Sequence, residues 1–306
     1  MLDIVDAVID AAMPWVHRFV RPAGPVEVTH ERPWATVARV PTASGSVWLK
    51  CCAPVQAFEP ALTAALYRRH PDLLPEVIAA DADRGWLLLG DAGTVVSALG
   101  NPPDAWLAAL PAYAELQRQE TGHVAEHVAA GVPDLRLSTL PERCDVLLTP
   151  DVPLTDNERV ALAPFEATFA KWCADLASCG IADSVQHDDL HHNNLYVHGD
   201  GYRVLDWGDT SVSHPFASLV VTFRFLEEVN GLSRDDRWFR RLRDAYLEPW
   251  GSNLAETFDL AFAVGTVAHA IAWVRQRRAL PDNYLPRFDT AYRLVLDRVM
   301  RLAVSR

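Results

Sequence analysis

Apolar and polar positions alternate along the first part of the chain and recur at helical spacing along the rest. Between 25 and 53 the runs VEVTHERPW, ATVARV and SGSVWLKCC are short and rich in Val, Thr and Trp, the last two separated by the turn-forming PTASG. That pattern predicts three consecutive antiparallel strands. FEPALTAALYRRH follows with Leu62, Ala65 and Leu66 on one face, the spacing of a helix that ends before Pro71. EVIAAD and GWLLLGD add two strands around the acidic turn ADADRG.

Beyond Gly93 the pattern predicts long helices over 103–130, 155–179, 214–230, 234–248, 254–278 and 287–304. Thr155 and Glu158 have the Thr-x-x-Glu spacing of a capping box. Only 195–206 interrupts the helical run, where LYVHGDGYRVLDW reads as two short strands around a Gly-Asp-Gly turn. The N-terminal stretch MLDIVDAVIDAAMPWVHRFVRP reads as an amphipathic helix; it carries Asp3, Asp6 and Asp10 where a signal peptide would be basic. The longest apolar run, LAFAVGTVAHAIAWV at 260–274, contains Thr266 and His269 and falls short of the ~20 residues of a membrane crossing, so a buried core helix is expected. The outline is a small sheet-rich lobe over 1–92, a connector near 88–93, and a larger helical lobe over 93–306.

Charge narrows the partners. The chain has 306 residues, half of them apolar, and a formal net charge of −12. An acidic balance disfavours nucleic acid and anionic membranes, which are held by Lys and Arg against phosphate. Five scattered cysteines with no Cys-x-x-Cys pair indicate neither a disulfide framework nor a zinc ribbon, and point to the cytoplasm.

The chemistry gathers in SVQHDDLHHNNLYVHGDGYRVLDWGD, residues 184–209. His187 and His191 have the i, i+4 spacing of a helical metal site, but the stretch lies between strand-like runs and no Cys or Glu-x-x-His completes a ligand set. Phosphoryl transfer explains more of the order. It needs a carboxylate beside the acceptor hydroxyl and oxygen ligands for Mg²⁺. The kinase loop supplies these as His-x-Asp, four residues, then Asn, with a second Asp one hairpin later. His187, Asp189, Asn194 and Asp206 fall on that spacing.

On these motifs, HDDLHHNN and LDWGD, the chain resembles the aminoglycoside phosphotransferase and choline kinase-like family of small-molecule kinases over nearly its whole length. The resemblance implies an α+β, protein-kinase-like two-lobe fold with a small antiparallel-sheet N-lobe and a mainly helical C-lobe. It implies ATP-dependent transfer of a phosphoryl group to a hydroxyl of a small molecule, with Asp189 as base, Asn194 and Asp206 as magnesium ligands and His187 bracing the loop. ATP and GTP both stay open. So do aminoglycoside-like antibiotics, amino alcohols and sugars as acceptors. The alternatives are a non-catalytic nucleotide- or metabolite-binding pseudokinase and a His/Asp metal-dependent hydrolase.

The chain departs from the family pattern in three places. Asp188 stands where Gly is usual, His192 and Asn193 replace Pro-Gly, and Ser218 in HPFASL replaces an Asp that supports the loop. In the N-lobe, Lys50 closes the third strand and is the only lysine before residue 150, which makes it the candidate phosphate-binding cation. Glu59 is its candidate partner or a plain N-terminal helix charge, since Pro60 follows it directly. No glycine-rich loop joins the first two strands; HERPWAT stands there. Asp209 reads as a helix cap or as a site residue. The acidic residues Glu227, Glu228, Asp235 and Asp236 would suit a polycationic acceptor or a solvated helix face.

Overall fold

The computed structural model describes residues 2–304, with side chains from residue 7, so that Asp3 and Asp6 lie outside the described side chains. In chain order the elements begin with α1 (Leu2–Val16), β1 (Glu27–Arg32), β2 (Ala35–Thr42), β3 (Gly45–Cys52), α2 (Glu59–Arg69), β4 (Val77–Asp81), β5 (Trp86–Leu89) and β6 (Thr94–Val95). Next come α3 (Pro103–Glu120), α4 (Val124–Ala129), α5 (Asp156–Leu162), α6 (Phe165–Ala177), β7 (Ser184–Gln186), β8 (Leu195–His198), β9 (Gly201–Val204) and β10 (Ser211–Ser213). The chain closes with α7 (Leu219–Asn230), α8 (Arg237–Leu247), α9 (Ala255–Arg278) and α10 (Leu285–Val304).

These elements form two compact units: one of residues 1–102, 129–132 and 191–208, the other of 103–128, 133–190 and 209–306. The sequence outline divides the chain once, at 92 and 93. In the structure the first unit runs on to 102 and takes in the β8–β9 hairpin.

The first unit is built on a five-stranded antiparallel sheet in the order β1-β2-β3-β5-β4. Alternation along β3 sends Val47, Leu49 and Cys51 into a core with Ile9, Ala12, Trp15 and Val16 of α1. Lys50, one step out of phase, therefore projects from the opposite face, and its cross-strand neighbours are Val37 and Leu87. A second sheet, β6-β8-β9, carries the hairpin.

The second unit is mainly helical. Its core helix α9 is long and apolar enough by composition to cross a bilayer, but Val264, Val267, Ala268, Ile271 and Val274 are buried inside the unit. Gly265 lets α9 lie against the 3-10 turn at Pro215–Ser218: a Cβ there would come within 2.7 Å of the Ala217 methyl carbon. The helix expected over 155–179 is two, α5 and α6, because the chain bends at Ala163 and Pro164, whose missing N–H cannot continue the ladder. The capping box does form, with Thr155 and Glu158 each accepting from the other's backbone N–H. The helix expected over 103–130 is likewise split by a 3-10 turn at Thr121–His123. The short ladder β7–β10 was not legible in the pattern.

Candidate active site

Lys50 is buried, and its ammonium lies between two carboxylates of the first unit. Nζ donates to Glu59 at 2.8 Å and to Asp206 Oδ1 at 2.5 Å. Burial alone would push the ammonium toward neutrality, but Asp206 and then Glu59 outweigh it and hold the Lys50 pKa well above its ordinary value. Burial pushes the Glu59 carboxyl up, with Lys50 opposing. Glu59 is the first residue of α2, with Pro60 behind it, so the proline that cast it as a plain helix-end charge instead fixes the turn that aims it at Lys50. One cation against two carboxylates leaves an excess negative charge, and the Asp206 side chain is 46 % exposed, so that excess opens to solvent.

The hairpin explains how Asp206 meets Asn194. Leu195 pairs with Val204, and the Leu205 N–H donates to the Asn194 carbonyl at 2.9 Å. Asn194 and Asp206 thus stand at the same end of β8–β9, flanking its first rung. Asp206 adopts φ 65°, a left-handed backbone that costs a non-glycine residue energy and turns its side chain to Lys50. Two residues on, a Cβ at Gly208 would fall 2.5 Å from the Gln56 amide, so a larger residue there would have to displace that side chain.

Asp189 belongs to the second unit and is half-buried. The loop before it is fixed from several sides. His187 is fully buried; its Nδ1 accepts from the Asp189 N–H at 3.3 Å, the bracing role expected for it, and its own N–H donates to the Tyr113 hydroxyl at 3.1 Å. Behind Asp189, Thr222 Oγ1 donates to the Leu190 carbonyl at 2.7 Å.

Ser218, the position lacking the family carboxylate, holds the loop indirectly. Its Oγ accepts from Tyr113 Oη and from Gln117 Nε2, both at 2.9 Å. Gln117 also donates to the Val185 carbonyl at 2.8 Å, and its Oε1 accepts from the Tyr246 hydroxyl at 2.6 Å. Two tyrosines, a glutamine and a serine therefore form a network of neutral groups beneath the loop. Burial raises the Tyr113 and Tyr246 phenols, so the network stays uncharged. No short-range signal in the sequence marks it, because its members come from α3, the 3-10 turn and α8.

Asp188 finds a partner in α9. It is buried at φ 62°, and its Oδ1 lies 2.9 Å from Nδ1 of His269, itself packed edge-on to Trp273. Asp209 is held by Gln276 of α9, which donates to its carboxylate, while the cap of the turn at Pro215–Ser218 is His214. The imidazoles of the motif are engaged locally: His191 Nδ1 accepts from the Asn193 N–H at 3.1 Å. Among the described residues no group of three or more His, Cys, Asp or Glu side chains is placed to hold a metal ion by itself.

The fold recurs in solved structures of low identity. A macrolide 2'-phosphotransferase type I matches with a TM-score of 0.59 at 15 % identity, over 90 % of this chain and 93 % of its own. A choline/ethanolamine kinase family protein from Mesorhizobium loti matches with a TM-score of 0.61 at 17 % identity, over 99 % of both chains. The GDP complex of aminoglycoside 2'-phosphotransferase-IIIa matches with a TM-score of 0.60 at 14 % identity, over 90 % of this chain and 92 % of its own. Among curated proteins none matches. The family model described as the phosphotransferase enzyme family matches residues 7–261, which include Lys50, the 187–194 loop and Asp206, and the chain belongs to that family.

Proposed function

We propose that the protein is a small-molecule kinase that moves the γ-phosphoryl group of ATP to a hydroxyl, with Asp189 as the base. The observation that carries this reading is the buried Lys50 ammonium shared between Glu59 and Asp206. A strand lysine held by a helix acid is the arrangement that grips nucleotide phosphates.

Asp189 takes the hydroxyl proton as the acceptor oxygen bonds to the γ-phosphorus; the bond from that phosphorus to the bridging oxygen breaks, and its electron pair leaves with ADP. His187 keeps the Asp189 backbone in place through the 3.3 Å bond to its N–H. Asn194 and Asp206 suit a hard divalent cation: both offer oxygen, both stand at one end of the hairpin, and the charge around Lys50 is negative in excess. Magnesium held by these two residues would neutralise phosphate charge when nucleotide is bound. Lys50 and Glu59 serve nucleotide binding, with ATP as the primary donor and GTP to be compared beside it.

A coupled ADP-release assay over hydroxylated antibiotics, amino alcohols, sugars and hydroxy acids tests the reading. Asp189→Asn is expected to lower kcat by about 10²- to 10⁴-fold while Mg-nucleotide binding persists. Transfer that proceeds unchanged in Asp189→Asn removes the base assignment. Nucleotide binding with no phosphorylated product from any acceptor replaces the enzyme with a non-catalytic binder.

A further inference from the structure

Gln56 lies buried in the short 3-10 turn Pro54–Gln56, the segment that carries the chain from β3 into α2. It stands six residues after Lys50 and three before Glu59. That turn has little freedom. Pro54 fixes its first φ, the Gln56 N–H donates to the Ala53 carbonyl at 2.9 Å, and the Ala53 N–H donates to the Trp34 carbonyl at 2.8 Å. Gln56 is thus rooted in backbone that is held both by β3 and by the turn between β1 and β2.

Its amide closes over the turn that carries Asp206. A Cβ at Gly208 would lie 2.5 Å from Gln56 Cδ and Oε1 and 2.8 Å from Nε2, so the whole amide, and not its tip alone, rests on the glycine. Backbone conformation does not call for glycine here. Gly208 belongs to the 3-10 turn Trp207–Asp209 and has no left-handed φ, so its backbone is one that any L residue adopts. The close approach of Gln56 is what requires it.

The residues on either side of Asp206 are fastened within the hairpin and its exit. The Leu205 N–H donates to the Asn194 carbonyl at 2.9 Å, and the buried Trp207 donates through Nε1 to the Val204 carbonyl at 3.2 Å. Between them Asp206 holds φ 65°, a conformation that persists in a non-glycine residue only where the surroundings over-determine it. Gln56 adds the contact that comes from outside the hairpin.

We propose that Gln56 is a positioning residue for the divalent cation: closed over Gly208, it keeps Asp206 in the conformation that sets one carboxylate oxygen on Lys50 and leaves the carboxylate open to solvent for the metal. The role rests on the kinase reading above and deepens its metal site. Gln56 acts through the turn alone and touches neither phosphate nor metal. Outer-shell groups tune a metal site in this way, by fixing the orientation of a ligand.

A double-mutant cycle on the full chain tests it, with Mn²⁺ as the probe metal, titrated in the presence of AMP-PNP and followed by electron paramagnetic resonance, which needs no turnover. Gln56→Ala and Gly208→Ala are each expected to weaken Mn²⁺ binding by about 10-fold, the scale of outer-shell changes. The double variant is expected to bind within about 3-fold of Gln56→Ala, because the methyl at 208 then meets no amide, whereas independent sites would multiply to ~100-fold. Gln56→Met keeps the bulk over Gly208 and stays within about 3-fold of the wild type. In steady-state assays the two single variants raise the magnesium concentration for half-maximal rate and leave kcat at saturating magnesium within about 3-fold, a split that general loss of structure does not produce. Wild-type affinity in Gln56→Ala, a Gly208→Ala effect of equal size in both backgrounds, or Gln56→Met as weak as Gln56→Ala overturns the proposal. Where Gly208→Ala fails to fold, the Gln56 series decides. Wild-type protein that takes up no Mn²⁺ with AMP-PNP defeats the kinase reading, whereas wild-type uptake unchanged in the variants defeats only the role of Gln56.

Discussion

Asp188 and Asp206 share a backbone and almost nothing else. Both take up a left-handed conformation, at φ 62° and 65°, that L side chains adopt reluctantly. Asp188 is 5 % exposed and tied to His269; Asp206 has an ammonium on one side and solvent on the other. The same local strain serves two ends. At 206 it aims a charge at the Lys50 ammonium with solvent on its other side, and at 188 it folds a charge inward to fasten a loop. A departure from the family glycine at 188 is therefore accommodated by one long-range partner, whereas any change at 206 alters the charge balance around Lys50.

The contrast can be broken at its stronger end. Asp206→Asn is expected to lower phosphoryl transfer by about 10³-fold, equivalent to ~4 kcal/mol of barrier, because it removes the anionic ligand proposed for magnesium and the main support of the Lys50 charge. Steady-state kinetics across a magnesium series measures this; wild-type rates at saturating magnesium would sink the assignment.

The second test concerns acid. His214 begins the 3-10 turn that leads to Ser218, accepts from the Phe216 N–H, and has its pKa pushed down by burial from 6.5 to about 3. The folded value lies below the unfolded one, so the unfolded chain takes the proton first. Stability is full above 6.5 and lost as pH falls toward 3. The loss should reach about 3 kcal/mol by pH 4. His214→Asn keeps a side-chain acceptor at that turn and should flatten the slope in urea titrations followed over pH; parallel slopes for the two proteins would refute a neutral buried imidazole.

Smaller still is the network beneath the loop. Gln117→Leu keeps the volume but removes the side-chain donor to the Val185 carbonyl and one of the two acceptors of the Tyr246 hydroxyl, which keeps the Pro215 carbonyl at 2.9 Å, at a cost of about 2 kcal/mol in unfolding free energy. An undisturbed midpoint would mean that water replaces the amide.

Smallest is Asp188→Gly, where relief of left-handed strain, about 1 kcal/mol, offsets the lost bond to His269. Stability should move by less than ~1 kcal/mol while kcat falls several-fold, and Asp188→Asn should recover most of that rate. If Asp188→Gly matches the wild type in kcat, the tether to α9 has no bearing on Asp189.

What could be read beforehand follows the range of the interactions. The strands β1 to β5 and the long helices announce themselves because periodicity is local, and the spacing of His187, Asp189, Asn194 and Asp206 is fixed by one loop and one hairpin. The partner of Asp188 lies 81 residues away, and the network around Ser218 is spread over Tyr113, Gln117 and Tyr246. Such groups look like ordinary core positions until the helices that carry them are packed. β7 and β10 escaped for another reason: three fully buried residues in each leave no alternation to detect.

The β8–β9 hairpin mounts Asn194 and Asp206 on one two-pronged fork whose far tip, His198 to Gly201, is exposed. That tip is a handle. A fluorophore attached at Asp200 would ride on the same rigid piece as the two oxygens, reporting their movement when nucleotide arrives without touching the chemistry itself.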